Sequence, residues 1–325
     1  MRIVPPAARE RQAKVATMLC GCPEKLAAST PGGHDLRMKY GINLLLWTDD
    51  PTKDSFQPVL ERLRAMGFDG VELPIFRLDE KRWTALGKRL RNLGLACTAS
   101  SARMPEDDPI SPDKAVRQRA LELTQRTLDC CQAVGASILA GPLYAALGTF
   151  SGKGPTRTEW QRSVDLMHKA AAHAASTQVT LALEFLNRFE IYLLNCAADA
   201  ERFVREVDHP NCRMMYDTFH AHIEEKDIPA AIRSCTDVMA HVHISENDRS
   251  TPGRGQVDWD TTFQALRKVR YDGWLVIEAF GQSLPALAAA TKIWRPMFAS
   301  EEQLAAEGLR FMRKAWGDAR ESRKR

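Results

Sequence analysis

Eight short apolar runs separated by stretches of helical spacing leave this chain few architectures to choose from. The runs fall at 39–47, 68–74, 95–100, 137–144, 179–185, 213–217, 239–245 and 274–279. Between the first two, Phe56, Val59, Leu60, Leu63 and Met66 mark one helical face, which should stop at Gly67. Further helices are expected over 79–93, 112–134, 158–174, 197–207, 228–234 and 259–270, with 284–293 and 301–316 after the last run. Ser111 and Pro112 read as the N-cap and first residue of the long third helix, and Gly135 as its stop. Eight strands alternating with about eight helices over residues 38–308 match a single-domain α/β fold, the (β/α)8 TIM barrel, for which about 250 residues is typical. A doubly wound open sheet fits less well, because the first strand–helix turn has no Gly-rich phosphate loop. The barrel is assigned to residues 38–317, preceded by an extension over 1–37 expected to be disordered and followed by a basic tail over 318–325.

Charge divides unevenly along the chain. The net +4 comes from ends carrying +3 (1–37) and +5 (309–325), which leaves −4 on residues 38–308. A negative body offers no general footprint for nucleic acid. No run approaches the roughly 18 apolar residues of a membrane span, so no membrane partner is expected. Eight cysteines lie scattered without metal-ligand spacing, and the first 37 residues lack the continuous apolar segment of a secretory signal. Reduced thiols acting as small buried hydrophobes, in a cytoplasmic protein, are the expectation.

Four of the runs share an ending. The run at 179–185 carries Glu184, 213–217 ends on Asp217, 239–245 carries His243 and 274–279 carries Glu278. With period-two alternation Glu184 shares a face with Ala182, Asp217 with Met215, His243 with His241 and Glu278 with Val276. In a barrel the C-terminal strand ends converge, so four ligand-type side chains would meet at one mouth. Three carboxylates and one imidazole suit one divalent ion, Mn²⁺, Mg²⁺ or Co²⁺, better than structural zinc. Any one of these residues alone would more simply be a helix cap or an ion-pair member; four coincident polar termini are hard to reconcile with packing. His241, one pleat deeper, reads as a hydrogen-bonded core histidine.

The stretches Glu184-Phe-Leu-Asn-Arg-Phe-Glu190, Asp217-Thr-Phe-His220, His243-Ile-Ser-Glu-Asn-Asp-Arg249, Gly253-Arg-Gly255 before Trp259, and Tyr271-Asp-Gly273 before Glu278 resemble the ketose 3-epimerase family, within the xylose-isomerase-like barrels. The resemblance covers about residues 38–300 and is most specific in the second half. It implies that Glu184, Asp217, His243 and Glu278 bind one divalent ion, that Glu184 and Glu278 are the two acid/base groups, and that Glu190, His220 and Arg249 hold the carbonyl end of a ketose. It also implies a homo-oligomer, dimer or tetramer. Epimerisation at C3 through a cis-enediolate needs two proton-transfer groups on opposite faces of one carbon, and strands five and eight lie across the mouth from each other.

Plainer readings stand beside these. Arg249 also fits a solvated loop residue, and Glu190 a helix cap or a partner of Arg188. Asn187 and Asn247 read as loop-formers. Trp47, Glu72 and Tyr144, at or near the ends of strands one, two and four, either line the far end of the sugar or pack the rim. The rival activities are an aldose–ketose or hydroxypyruvate isomerase, an AP-endonuclease-like hydrolase, and a non-catalytic sugar-binding barrel. The hydrolase needs additional histidines after strand seven, where the loop 250–258 has none.

Overall fold

The structure, a computed structural model, describes residues 38–321, with side chains described through residue 317. The expected extension over 1–37 and the final residues 322–325 lie outside the described residues. Eight strands form the centre: β1 (Lys39–Ile42), β2 (Gly70–Pro74), β3 (Ala96–Ser100), β4 (Ile138–Gly141), β5 (Thr180–Glu184), β6 (Cys212–Asp217), β7 (Met239–Ile244) and β8 (Trp274–Ile277). Each pairs in parallel with the next from β2 to β8, and β8 pairs in parallel with β1. A parallel bridge between Asn43 and Glu72 brings β1 back beside β2, so the sheet curls into a nearly closed barrel.

Parallel neighbours need crossover connections, and helices supply them. These are α1 (Gln57–Met66), α2 (Glu80–Leu93), α3 (Lys114–Val134), α4 (Arg157–Ser176), α5 (Ala197–Val207), α6 (Thr218–Glu224), α7 (Ile228–Ser234) and α8 (Trp259–Lys268), with α9 (Pro285–Thr291) and α10 (Glu301–Glu321) after β8. The backbone of α10 thus continues past residue 317. Helix stops follow the sequence: Gly67, Gly94 and Gly135 take left-handed backbones at the ends of α1, α2 and α3.

Two faces of each strand pack differently. Toward the helices, Leu181, Leu183, Met214, Tyr216, Val242, Ile244 and Leu275 are fully buried, each contributing on the order of 1.5–3 kcal/mol of transfer free energy. Toward the barrel axis, Ile138, Ala140, Ala182, Met215, Trp274 and Val276 form a separate inner cluster. Ala182, Met215 and Val276 lie one pleat below the candidate ligands. The Trp274 indole is admitted because position 70 has no side chain: a Cβ there would sit 2.6 Å from the ring and 2.4 Å from the Ala96 carbonyl oxygen.

Several local expectations are corrected. The first run does not stay extended to Trp47. Asn43 accepts the Leu45 N–H and starts a 3-10 turn over Leu44–Leu46, ending β1 at Ile42. The third helix is capped by Asp113, which accepts the Ala115 N–H at 2.8 Å; Ser111 instead accepts the Asp113 N–H in the preceding turn. A carboxylate at the cap also complements the helix dipole. After Asp217 the chain enters α6 at once, a helix that the polar, His-rich spacing of 218–224 concealed. The described cysteines 97, 130, 131, 212 and 235 are buried and unpaired, and burial pushes the Cys97 thiol up to about 12. Among the described residues no helix is long and apolar enough to cross a membrane.

Candidate active site

Glu184 closes β5, Asp217 closes β6, His243 is the penultimate residue of β7, and Glu278 follows β8 directly. Asp217 stands opposite His243 in the β6–β7 register, and His243 opposite Val276 in the next. One ligand atom from each of Glu184, Asp217, His243 and Glu278 lies within 4.8 Å of the other three, and all four residues are buried.

Hydrogen bonding leaves this cluster unfinished in a specific way. Asp217 uses Oδ1 to cap α6, accepting the Phe219 N–H at 2.6 Å and the His220 N–H at 3.1 Å. Among the described residues its Oδ2 has no hydrogen-bond partner, the Arg249 guanidinium standing 3.5 Å away. His243 donates through Nε2 to Glu72 at 2.7 Å, and its Nδ1 has none. That Nδ1 faces Asp217 Oδ2 at 3.5 Å and Glu278 Oε1 at 3.3 Å. Buried polar atoms without partners are costly, and here two of them, with two more carboxylates, face one point. The donor set suits a hard divalent cation, which would satisfy all of them at once.

Charge in this cluster is uneven. Burial and the neighbouring carboxylates Glu278 and Asp217 hold the Glu184 carboxyl well above the usual carboxylate range. Glu278 is held low despite burial, because His243 and Arg249 stabilise its anion. His243 is raised well above the usual imidazole value: burial opposes this, but the carboxylates of Glu72 and Glu278 outweigh it. Within the protein alone, burial among carboxylates disfavours the Glu184 anion, while His243 and Arg249 favour that of Glu278.

Arg249 is not a solvated loop residue. It takes a left-handed backbone (φ 61°), which turns its side chain inward, and its guanidinium lies 3.8 Å from the Phe219 ring centroid and 5.1 Å from that of Phe280. Nη1 donates to Ser245 Oγ at 3.1 Å and to Glu278 Oε2. Nη2 is 2.9 Å from His220 Nε2. The loop behind it is pinned by buried Glu246, whose carboxylate accepts from the N–H groups of Asn247, Gly253 and Val257 and from the Trp259 indole. Position 255 must be glycine for the same reason, since a Cβ would meet Asn247 Oδ1 at 2.2 Å.

His220 is kept neutral. Burial, then the charge of Arg249, lowers its pKa to about 3. Its Nδ1 accepts the Asn187 backbone N–H at 3.0 Å, which puts the ring proton on Nε2, the atom 3.6 Å from Glu184 Oε1. With the proton on Nε2, the Nε2–H and Arg249 Nη2, 2.9 Å apart, are both donors, and an oxygen alongside the pair would accept from both. Glu190 joins this group through Asn187, whose Nδ2 donates to Glu190 Oε1 at 2.8 Å. Glu190 neither caps a helix nor pairs with Arg188, which bonds Glu224 instead.

Glu72 and Tyr144 do not form the rim. Glu72 is fully buried inside the barrel and Tyr144 is fully buried with its hydroxyl donating to the Leu194 carbonyl at 3.3 Å; Trp47 follows the 3-10 turn after β1, half-buried against the core. His241 is a hydrogen-bonded core histidine, 2.8 Å from Glu72 Oε2. Sequence reasoning missed Glu72, Asn187 and Ser245 as members of this network. For Glu72 a signal existed: a carboxylate in an otherwise apolar strand, the same mark that singled out Glu184.

Comparison with known proteins agrees with this geometry. The family model for xylose isomerase-like TIM barrels matches residues 60–315. The L-ribulose 3-epimerase of Mesorhizobium japonicum is 33% identical over 276 residues, covering 84% of this chain and 93% of its own. A solved L-ribulose 3-epimerase superposes with a TM-score of 0.83 at 32% identity, covering 89% of this chain and 97% of its own. The D-psicose 3-epimerase of Clostridium cellulolyticum, solved with D-tagatose, gives 0.79 at 30% identity, covering 86% and 99%. The converging strand ends, the inward arginine and these likenesses have one common explanation: the chain belongs to the xylose isomerase-like TIM barrel family, among its ketose 3-epimerases.

Proposed function

We propose that this protein epimerises a ketose at C3, with Glu184 and Glu278 as the two proton-transfer groups. The observation that carries the reading is the meeting of Glu184, Asp217, His243 and Glu278 within 4.8 Å at the barrel mouth, two of their buried atoms having no hydrogen-bond partner among the described residues. These four residues would hold one divalent cation, Mn²⁺ first, with Mg²⁺ or Co²⁺ as alternatives. When bound, such an ion supplies Lewis-acid polarisation of the carbonyl and offsets negative charge developing on oxygen.

The chain's own groups do the rest. Glu278, as the anion, takes the C3 proton; the C–H electron pair moves toward the C2 carbonyl and forms a cis-enediolate. Glu184, carrying a proton at this stage, returns it to the opposite face of C3, and the roles reverse for the other epimer. The Arg249 guanidinium and the His220 Nε2–H supply donors for the enediolate oxygens in a site screened from water. Glu190, tethered through Asn187, holds the same end of the sugar. The substrate is a small ketose, as it is for the named relatives. A homo-oligomeric state, dimer or tetramer, and a cytoplasmic setting belong to the same proposal; unpaired buried cysteines agree with the latter.

Incubation with D-fructose in deuterated water tests the reading. Deuterium at C3 and appearance of the C3 epimer are expected. Deuterium confined to C1, with no epimer, would instead assign an aldose–ketose isomerase.

A further inference from the structure

Deeper in the barrel, directly beneath the candidate cation site, Glu72 collects four hydrogen bonds on one carboxylate. Oε1 accepts from Asn43 Nδ2 at 2.9 Å and from His243 Nε2 at 2.7 Å; Oε2 accepts from Thr98 Oγ1 at 2.9 Å and from His241 Nε2 at 2.8 Å. Its residue is 0% exposed, as is His241. A carboxylate in an apolar barrel is tolerated because every partner is a donor.

We propose that Glu72 is the positioning residue of the metal centre: by accepting the Nε2 proton of His243 it fixes the tautomer whose Nδ1 lone pair faces Asp217, Glu184 and Glu278. This rests on the reading of that quartet as a divalent-cation site. A metal-ligating imidazole needs its other nitrogen protonated and held, or the ring rotates and presents the wrong atom. Here β2 supplies the holder and β7 the ligand, so one pair of residues ties the two halves of the barrel into the site. Thr98 from β3, Asn43 after β1 and His241 on β7 in turn stop the Glu72 carboxylate from rotating.

The chemistry also excludes two other roles. Glu72, His241 and His243 have ligand atoms close enough to suggest a second cation site. Both Glu72 oxygens, however, are already engaged by Asn43 and Thr98, whose N–H and O–H groups repel a cation. An amide in its place would keep a single oxygen, for either Asn43 and His243 or Thr98 and His241. Only the ionised carboxylate accepts from all four as they stand.

Titration of the metal-stripped full chain with Mn²⁺, followed by calorimetry and by the electron paramagnetic signal of free Mn²⁺, tests the assignment. The wild-type protein should take up one ion per chain. Glu72→Gln should bind about 10–100-fold more weakly while keeping its circular dichroism spectrum. Equal affinity in the folded variant overturns the role of Glu72, and two ions per wild-type chain would do so too. No uptake at all by the wild type overturns the quartet reading instead. Should Glu72→Gln not fold, ¹⁵N-histidine spectra of the Mg²⁺-loaded wild type decide: a proton on His243 Nε2 and none on Nδ1 is expected, and a proton on Nδ1 sinks the proposal.

Discussion

The two halves of the barrel use the same device to opposite ends. Strands β1–β4 and β5–β8 both carry polar side chains among buried apolar ones. In the first half these groups are satisfied: Glu72 has four donors, and Asn43 also reaches Ser100 Oγ at 3.3 Å. In the second half Asp217 Oδ2 and His243 Nδ1 have no hydrogen-bond partner among the described residues, and three carboxylates crowd together. What separates a structural buried acid from a reactive one is the supply of donors around it, more than its depth. The first half thus works as a rigid frame that orients, and the second half holds back the unsatisfied atoms that a cation and a sugar would complete.

The sharpest way to break this contrast is to neutralise one unsatisfied group. Glu278→Gln should leave folding and melting temperature close to wild type while cutting epimerisation by about 10³-fold, read by product chromatography; retained turnover would end the two-carboxylate scheme. Next in size, dialysis against a chelator should bring activity to background and lower the melting temperature, with restoration by Mn²⁺. An ion at 100 times its Kd stabilises the folded chain by about 2.7 kcal/mol, and an unchanged melting curve would deny the site any ion.

A third test addresses His220, which is buried and neutral. Its folded pKa of about 3 lies below the usual 6.5, so between those values the unfolded chain binds the extra proton. Stability should therefore fall as pH drops through this window, by up to about 1.4 kcal/mol per pH unit for one proton. Urea melts of His220→Asn should show a shallower dependence between pH 6 and 4; an equal slope removes the assignment. The smallest effect is expected in the frame. Tyr144→Phe removes one long hydrogen bond to Leu194, so a loss of about 1 kcal/mol or less with unchanged kcat and KM should follow. A large change in KM would move Tyr144 from packing to substrate contact.

How much of this was legible beforehand differs residue by residue. Glu184, Asp217, His243 and Glu278 were readable as one cluster because strand alternation is a local rule and strand ends of a barrel converge by topology. Glu72 bore the same mark as Glu184 yet was read as lining the sugar or packing the rim, since nothing local tells how deep along a strand a side chain points into the barrel. The turn at Asn43 was hidden inside an apolar run, where one side-chain bond to Leu45 outweighed β propensity. Helix α6 was missed because its cap, Asp217, had already been spent as a strand-end ligand; the structure lets one oxygen cap and leaves the other free.

By itself the sequence determined the barrel, its helix stops and the four strand-end residues, since each follows from spacing within a few residues. Only the tertiary structure decided which buried charges are satisfied. The partners of Glu72 arrive from 26 to 171 residues away, and the inward Arg249 guanidinium meets the ring faces of Phe219 from α6 and Phe280 from the segment after β8. Hydrogen-bond satisfaction in a low-dielectric interior depends on long-range geometry, and that is what the closed barrel supplies.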